Sequence, residues 1–598
     1  MESEYRAPQP AAIPKGQQER ASLLSLLRVY LRPHTIAIIA VMVLTMISSG
    51  LALFLPTLNA RIIDDGVAVG DTGFIMRAGG IMLLVTLAQA LCAVAIVYAG
   101  AKAATGLGRD IRTAIYHRIN AFSDREFAQF GTPSLITRTT NDVQQVQMLV
   151  MIAATILVTA PIMAVGGVIM ALRENAKLSL VLVVTVPLLL IVVSVVMSLM
   201  IPLYRQMQTR IDGVNRVMRE QLTGMRVVRA FVRESLEIEK FDVANRGLTD
   251  VALRAGRLNA LMMPAIMLIS NLTSVSVLWF SAQLIDTGQM QVGQMTAFLA
   301  YVMQILSSVM MVVVMAVLVP RAAVSAERIS EVLNSEPTVR PPDNPLRPGT
   351  AAGRIQLHDV EFGYPGAEAP VLSGITLDCQ PGTSTAIVGS TGSGKSTLLS
   401  LVPRLVDVNA GAVVIDGVDV RDQDLDQMCQ GIGLVPQKAY LFTGTIASNL
   451  QFGKPDASEE EMWEALRISQ AEEFVAKLQG GLMAPVAQGG ANFSGGQRQR
   501  LTIARAVIRT PQVYLFDDCF SALDLGTEAA LHRALMEHRP GATVLTVSQR
   551  VSRIALADQI VVLEDGRVVG IGTHAELVTT CRTYWEIVQS QLTEEGSR

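Results

Sequence analysis

The stretch Ser384-Thr385-Ala386-Ile387-Val388-Gly389-Ser390-Thr391-Gly392-Ser393-Gly394-Lys395-Ser396-Thr397 decides the fold of the C-terminal half of this 598-residue chain. Its first five residues form a small apolar strand, and residues 398–405 beyond it read as a helix. Between them lies the pattern G-x-x-x-x-G-K-[ST], from Gly389 to Ser396. Glycines let successive backbone N–H groups converge on phosphate oxygens, and the helix N-terminus adds its positive end. In such a loop Lys395 binds the β- and γ-phosphates and the Ser396 hydroxyl binds Mg²⁺. Gly389, Ser390, Thr391, Gly392, Ser393, Gly394, Lys395, Ser396 and Thr397 are therefore the candidate cradle for ATP. A second apolar strand, residues 513–516, ends in Asp517-Asp518. A carboxylate at a strand end beside a phosphate loop is the expected Mg²⁺ partner, and Asp517 takes that role. The half is an α/β nucleotide-binding domain.

Working toward the N-terminus, the composition changes. The whole chain is 50% hydrophobic but only 17% charged, against about 25% in soluble domains. The excess lies in six runs without Asp, Glu, Lys or Arg: 35–60, 78–101, 143–172, 178–204, 258–285 and 287–320. Each exceeds the ~20 residues that cross a bilayer as a helix, so six transmembrane helices are expected. The first run is too long for the apolar core of a cleaved signal peptide. Arg20, Arg28 and Arg32 precede it, and the long connections near 102–142 and 205–257 are basic, with eleven Lys/Arg in the second. The opposite loops carry only Arg61, Arg77, Arg173 and Lys177. The positive-inside rule then places both termini and the nucleotide domain in the cytoplasm. The two long connections read as helices that continue past the bilayer to short turns, because structureless loops of that length are rare. No ionisable residue sits mid-span, which argues against proton or sodium coupling. A formal net charge of −3 and five scattered cysteines exclude a nucleic-acid, zinc-finger or disulfide-scaffold protein.

The expected organisation is a cytoplasmic N-terminal segment (1–33), a six-helix membrane domain (34–325), a linker (326–352), the nucleotide domain (353–590) and a tail (591–598). Residues 336–352 hold five prolines, as a linker does.

Further motifs accompany the phosphate loop. Phe493-Ser494-Gly495-Gly496-Gln497 precedes Arg498-Gln499-Arg500, Tyr364 stands in Phe362-Gly363-Tyr364-Pro365, and Gln437 follows Leu434-Val435-Pro436. Ser521-Ala522-Leu523-Asp524 follows the second strand. Together they resemble the ATP-binding cassette (ABC) transporters, specifically half-transporters of the exporter-type fold, over nearly the whole chain. The resemblance implies that residues 493–497 are the family signature, with Phe493 replacing the usual Leu. It also implies that Tyr364 stacks on adenine, that Gln437 reaches Mg²⁺, and that Asp524 belongs to a loop facing the opposite cassette. Residues 127–142 and 224–241 resemble the segments that carry coupling helices (near 124–140 and 224–241). Ser325-Ala326-Glu327-Arg328-Ile329 resembles the junction of the sixth helix with the cassette. The implied activity is ATP hydrolysis coupled to alternating access, with each nucleotide sandwiched between one chain's phosphate loop and the other's signature.

Two departures carry information. The family places Glu after the metal-binding Asp to activate water; here the residue is Asp518, whose carboxylate sits about 1.5 Å nearer the backbone. A general base must be in hydrogen-bond reach, and about 1 Å of misplacement can cost 10²-fold. In Thr546-Val547-Ser548-Gln549-Arg550 the family's usual His, which contacts the γ-phosphate, is Gln549, which can still donate a hydrogen bond but cannot take up a proton. Gln488, where the family usually has Glu, decides nothing alone. Asp518 and Gln549 together resemble the degenerate site of bacterial heterodimeric multidrug or lipid exporters. The expected partner is a different half-transporter with Glu and His at those positions, completed by this chain's intact signature. The charge-free spans suit a hydrophobic or amphipathic substrate. Polar Gln89, Asn271 and Gln304 read as interhelical hydrogen bonds before cavity contacts. Two alternatives stand beside export: an importer of a metal–siderophore on the same fold, and an ATP-binding regulatory or gating subunit. A peptide exporter with a processing domain is disfavoured, because residues 1–33 hold no Cys.

Overall fold

The computed structural model describes residues 23–349, 352–364, 366–521 and 523–595. Arg20 with the rest of 1–22, part of the linker, Pro365, Ala522 and residues 596–598 lie outside the described residues. The chain divides into two compact units, Met1–Asn120 with Pro133–Ser335 and Ala121–Thr132 with Glu336–Arg598.

In the first unit the expected six helices form: Thr35–Arg61, Thr72–Asn120, Val143–Glu174, Leu180–Ala230, Glu234–Asp286 and Val292–Asn334. The second, fourth and fifth have 49, 51 and 53 residues. At 1.5 Å per residue they run to roughly 75 Å, far beyond a ~30 Å hydrocarbon core. The long basic connections are therefore helical extensions, as their amphipathic charge pattern implies. Pro56 lies inside the first helix and, lacking an N–H, leaves the Ala52 carbonyl without its helical donor. Side chains of the sixth helix supply donors there: Gln304 Nε2 to the Ala52 carbonyl at 3.2 Å and the Tyr301 hydroxyl to the Leu53 carbonyl at 3.0 Å. Gln304 is thus an interhelical hydrogen-bonding residue.

Two sequence expectations change here. The sixth helix continues unbroken to Asn334, so Ser325–Ile329 lies inside it and the linker begins later than residue 326. Polar locks hold this stretch helical: Arg138 donates to the Arg328 carbonyl at 2.6 Å and pairs with Glu331 at 2.7 Å, and Ser325 Oγ donates to Asp142 at 2.8 Å. The segment 224–241 is not a separate helix. Two long helices meet there at a turn over residues 231–233, where Val232 takes φ +53° and Phe231 and Val232 are 73% and 78% exposed.

The first coupling segment does form a short helix, Asp124–Phe130, and it belongs to the second unit. Ser123 and Glu126 make a capping box, and Glu126 also accepts from Thr338 Oγ1 at 3.0 Å.

The second unit has a four-stranded sheet, β1 (Ile355–Phe362), β2 (Leu372–Cys379), β4 (Ala410–Ile415) and β5 (Val418–Asp419), in the order β2-β1-β4-β5. A larger sheet holds β3 (Ser384–Gly389), β6 (Ile432–Val435), β9 (Val513–Asp517), β10 (Thr543–Val547), β11 (Gln559–Glu564) and β12 (Arg567–Gly572), ordered β12-β11-β3-β10-β9-β6. A small pair, β7 (Gly444–Thr445) and β8 (Pro485–Val486), completes the set. Strands β3, β9 and β10 are buried almost throughout, which explains why the first two read as continuous apolar runs rather than alternating ones. The C-terminal helix, Arg582–Glu595, continues past residue 590, where the tail was expected to start.

Candidate nucleotide site

Strands β3, β10 and β9 run parallel and adjacent, with Val547 opposite both Ile387 and Asp517. Their C-terminal ends bring Gly389, Asp517, Asp518 and the loop carrying Gln549 to one sheet edge, the usual ligand edge of such a fold. The loop after β3 hugs the sheet. A Cβ on Gly389 would lie 2.1 Å from the Leu563 carbonyl oxygen, and one on Gly394, at φ +94°, 2.6 Å from Leu372. Glycine is what permits that approach. The helix Lys395–Leu401 starts there and aims its free N–H groups into the loop.

Lys395 is only 7% exposed, and its ammonium donates to the carbonyls of Ser390 at 2.7 Å and Gly389 at 3.0 Å. Burial pushes its pKa down, against the opposing pull of Asp518 and Asp517. Ser396 Oγ donates to Asp517 Oδ1 at 2.8 Å. Burial raises the Asp517 carboxyl, and it raises Asp518 with help from Asp517 beside it. A half-desolvated ammonium and two disfavoured carboxylates make an under-compensated charge set. A polyphosphate would satisfy the first and a divalent cation the second. The donor set therefore fits Mg-ATP, with Ser396 and Asp517 placed to hold the metal.

Asp518 sits one residue past β9 at φ +43°, a left-handed conformation that Asp tolerates better than most side chains. Its N–H donates to the Val547 carbonyl at 3.0 Å. Gln437, just beyond β6, reaches Asp518 Oδ2 with its amide at 3.5 Å, the outer limit of a hydrogen bond. Gln549 lies on the loop after β10 and is exposed. Tyr364, 45% exposed, packs edge-on against buried Phe362 at 5.1 Å and brings its hydroxyl to 3.3 Å from Thr397 Oγ1. An aromatic ring is thus fixed beside the end of the phosphate loop.

The signature residues form their own group. Ser494 caps the helix Gly495–Val507, with Gln497 returning the bond to the Ser494 N–H at 3.0 Å. The capping leaves Gly495 open: a Cβ there would meet nothing within 4 Å. Phe493 points into the core and meets Phe474 edge-on at 6.4 Å. Asp524 caps the helix Leu525–His538 through Thr527, whose N–H and hydroxyl hold the carboxyl below its ordinary range.

Sequence reasoning missed a buried ionic hub. Glu528 pairs with Arg550 at 2.9 Å and Arg553 at 2.7 Å. Arg550 also donates to the carbonyls of Ser521 at 3.2 Å and Leu523 at 3.4 Å, and Arg553 lies 3.6 Å over the Phe520 ring. The hub ties the loop of Gln549 to the loop before Asp524. The only sequence cue was Arg550 itself, directly after Gln549.

Residues 38–309 match the model for the ABC transporter transmembrane region, and residues 372–521 match the ABC transporter model. The chain is 52% identical over 573 residues to "Uncharacterized ABC transporter ATP-binding protein Rv1273c" of Mycobacterium tuberculosis, covering 95% of this chain and 98% of that protein. It is 33% identical to the "Multidrug efflux ATP-binding/permease protein Rv0194" of the same organism, over 90% of this chain and 45% of that protein. It is 32% identical to a "Fatty acid ABC transporter ATP-binding/permease protein" of Mycobacterium bovis, over 80% and 76%. A bacterial Atm1-family ABC exporter with ATP bound shares the fold, with a TM-score of 0.75 over 94% of this chain and 98% of that chain at 22% identity. The chain belongs to the ABC transporter family, as a membrane-spanning half-transporter of the exporter-type fold that carries the ATP-binding domain of an ATP-hydrolysing transporter.

Proposed function

We propose that this chain is the degenerate-site subunit of a heterodimeric bacterial inner-membrane exporter of hydrophobic or amphipathic compounds, drugs or lipids. The observation that carries the reading is the convergence of Asp518 and Gln549 on the sheet edge that holds the phosphate loop. Anchoring residues are complete there, while the residue that would activate the attacking water and the one that would contact the γ-phosphate are altered. The resulting site holds Mg-ATP and turns it over slowly. Lys395 anchors the β- and γ-phosphates, Ser396 and Asp517 hold Mg²⁺ with Gln437 in reach, and Tyr364 stacks on adenine. Ser494, Gly495 and Gln497 complete the catalytic site of a different half-transporter that carries Glu and His.

Substrate class rests on the membrane half. Six spans without a fixed charge favour apolar cargo over small ions. The printed names of two relatives, for multidrug efflux and fatty acids, lie in the same chemical range. The multidrug relative is about twice as long as the matched region, in keeping with two halves per transporter.

The test is Mg-ATPase activity of the purified chain alone and with its co-purified partner, both in lipid nanodiscs. Slow hydrolysis alone and brisk hydrolysis by the pair is the expected pattern. Brisk turnover by the lone chain, lost on Asp518→Ala, would refute it. Vesicles holding the pair should then show ATP-dependent movement of a lipophilic dye or fluorescent lipid.

A further inference from the structure

The loop between β10 and the short helix Val551–Ile554 is gripped from outside the nucleotide site. Gln591, on the C-terminal helix, donates through Nε2 to the backbone carbonyl of Gln549, and its Oε1 accepts the Val551 N–H at 2.8 Å. One amide thus clasps the peptide groups on both sides of Arg550. That residue's guanidinium, in turn, reaches Glu528 and the carbonyls of Ser521 and Leu523. The Val551 N–H opens its short helix, and Arg550 at the cap position offers no side-chain bond of its own. Gln591 supplies the missing acceptor.

The helix carrying Gln591 has its position set by packing. Tyr584 is fully buried and its hydroxyl lies 2.8 Å from His574 Nδ1. Tyr584 and Val588 pack with Ala386 and Val388 of β3 and Ile560 and Val562 of β11. The helix therefore registers against the strand that leads into the phosphate loop, and Gln591 passes that register to the backbone of Gln549.

We propose that Gln591 is a positioning residue, through which the C-terminal helix fixes the Gln549 backbone and so sets how well the site distinguishes a γ-phosphate. The proposal rests on the reading of Gln549 as the residue facing that phosphate. A cap for the short helix alone would support the fold and leave this discrimination untouched. The clasp also makes the C-terminus a handle on the site: displacement of the helix loosens Gln549 before it disturbs Lys395 or Asp517.

The experiment measures affinities of the full-length chain in detergent for Mg-AMP-PNP and Mg-ADP, by displacement of a fluorescent nucleotide. Gln591→Ala should weaken AMP-PNP about fivefold, as expected for one hydrogen bond, and change ADP less than twofold. Gln591→Glu keeps the acceptor for Val551 but opposes the Gln549 carbonyl with a second acceptor, so it should do at least as much. In a Gln549→Ala background, Gln591→Ala should add nothing. Equal weakening of both nucleotides by Gln591→Ala, no weakening, or an undiminished effect in the Gln549→Ala background overturns the proposal alone. If Gln549→Ala by itself leaves the AMP-PNP to ADP ratio at the wild-type value, the reading of Gln549 falls and the proposal with it. Melting temperatures of the variants identify any loss that comes from unfolding.

Discussion

The two ends of the nucleotide site are built differently. At the anchoring end, Lys395, Ser396 and Asp517 are fixed by bonds of 2.7–3.0 Å within the loop and to the strand end. At the hydrolytic end, Asp518 has a left-handed backbone and one amide at 3.5 Å, and Gln549 is exposed on a loop held by its backbone. Holding a triphosphate and cleaving it would thus fall to separate residues, even where these are neighbours, as Asp517 and Asp518 are at the end of β9. One end can lose its chemistry while the other keeps its geometry.

The largest effect should come from the anchoring end. Lys395→Ala removes a buried ammonium that would serve two phosphates. At 1.5–3 kcal/mol for each hydrogen bond to a charged group, Mg-ATP affinity should fall roughly a thousandfold. Equilibrium binding by the full-length chain measures this directly. A loss of less than about tenfold would mean that the loop backbone alone anchors the nucleotide and that the two ends are not as distinct as their geometry suggests.

A smaller effect, in the opposite direction, should come from rebuilding the hydrolytic end. Asp518→Glu with Gln549→His restores reach and a proton-accepting ring. In the lone chain, whose signature can complete a site in a second copy, the pair should raise ATPase turnover roughly ten- to hundredfold. Asp518→Glu alone should give less, because Gln549 remains and because Glu accommodates φ +43° less readily than Asp. Unchanged turnover in the double variant, with nucleotide affinity retained, would show that these two residues are not what separates the ends.

The anchoring end was legible in the sequence for a physical reason. A loop that must point backbone N–H groups at phosphate needs glycines at fixed spacing, so Gly389–Ser396 announces itself. The six spans were equally legible, since lipid admits no charge over their length. What stayed hidden depends on contacts between distant residues. Glu528 is one carboxylate in an ordinary helix until folding places Arg550 and Arg553 on it. Gln591 was assigned to the tail because nothing local marks the helix as continuing to Glu595. The turn at residues 231–233 was read as part of a longer coupling segment because both flanking helices share its charge-dense composition. Gln304 read as an interhelical hydrogen-bonding residue, but nothing in the sequence showed that its partner is the Ala52 carbonyl freed by Pro56.

The smallest effect should come from another departure from the family pattern, Phe493. Its ring is buried, lies in the core cluster with Leu501 and Ile503, and meets Phe474 edge-on, while the Arg500 guanidinium sits 4.9 Å over the Phe474 ring. These contacts lie within the core, while Gly495, two residues on, is open, with nothing within 4 Å of a Cβ there. Replacing Phe493 by the usual Leu removes one aromatic pair and leaves a small void, for a cost of about 1 kcal/mol. The variant should melt slightly lower, while the ATPase rate of the assembled pair should stay within about twofold of wild type, since the backbone offered to the nucleotide is set by the Ser494–Gln497 cap rather than by the ring. A large fall in the pair's turnover would place Phe493 with Asp518 and Gln549 as a change in chemistry. It would also remove the contrast between an altered hydrolytic end and an intact signature on which the heterodimer reading depends.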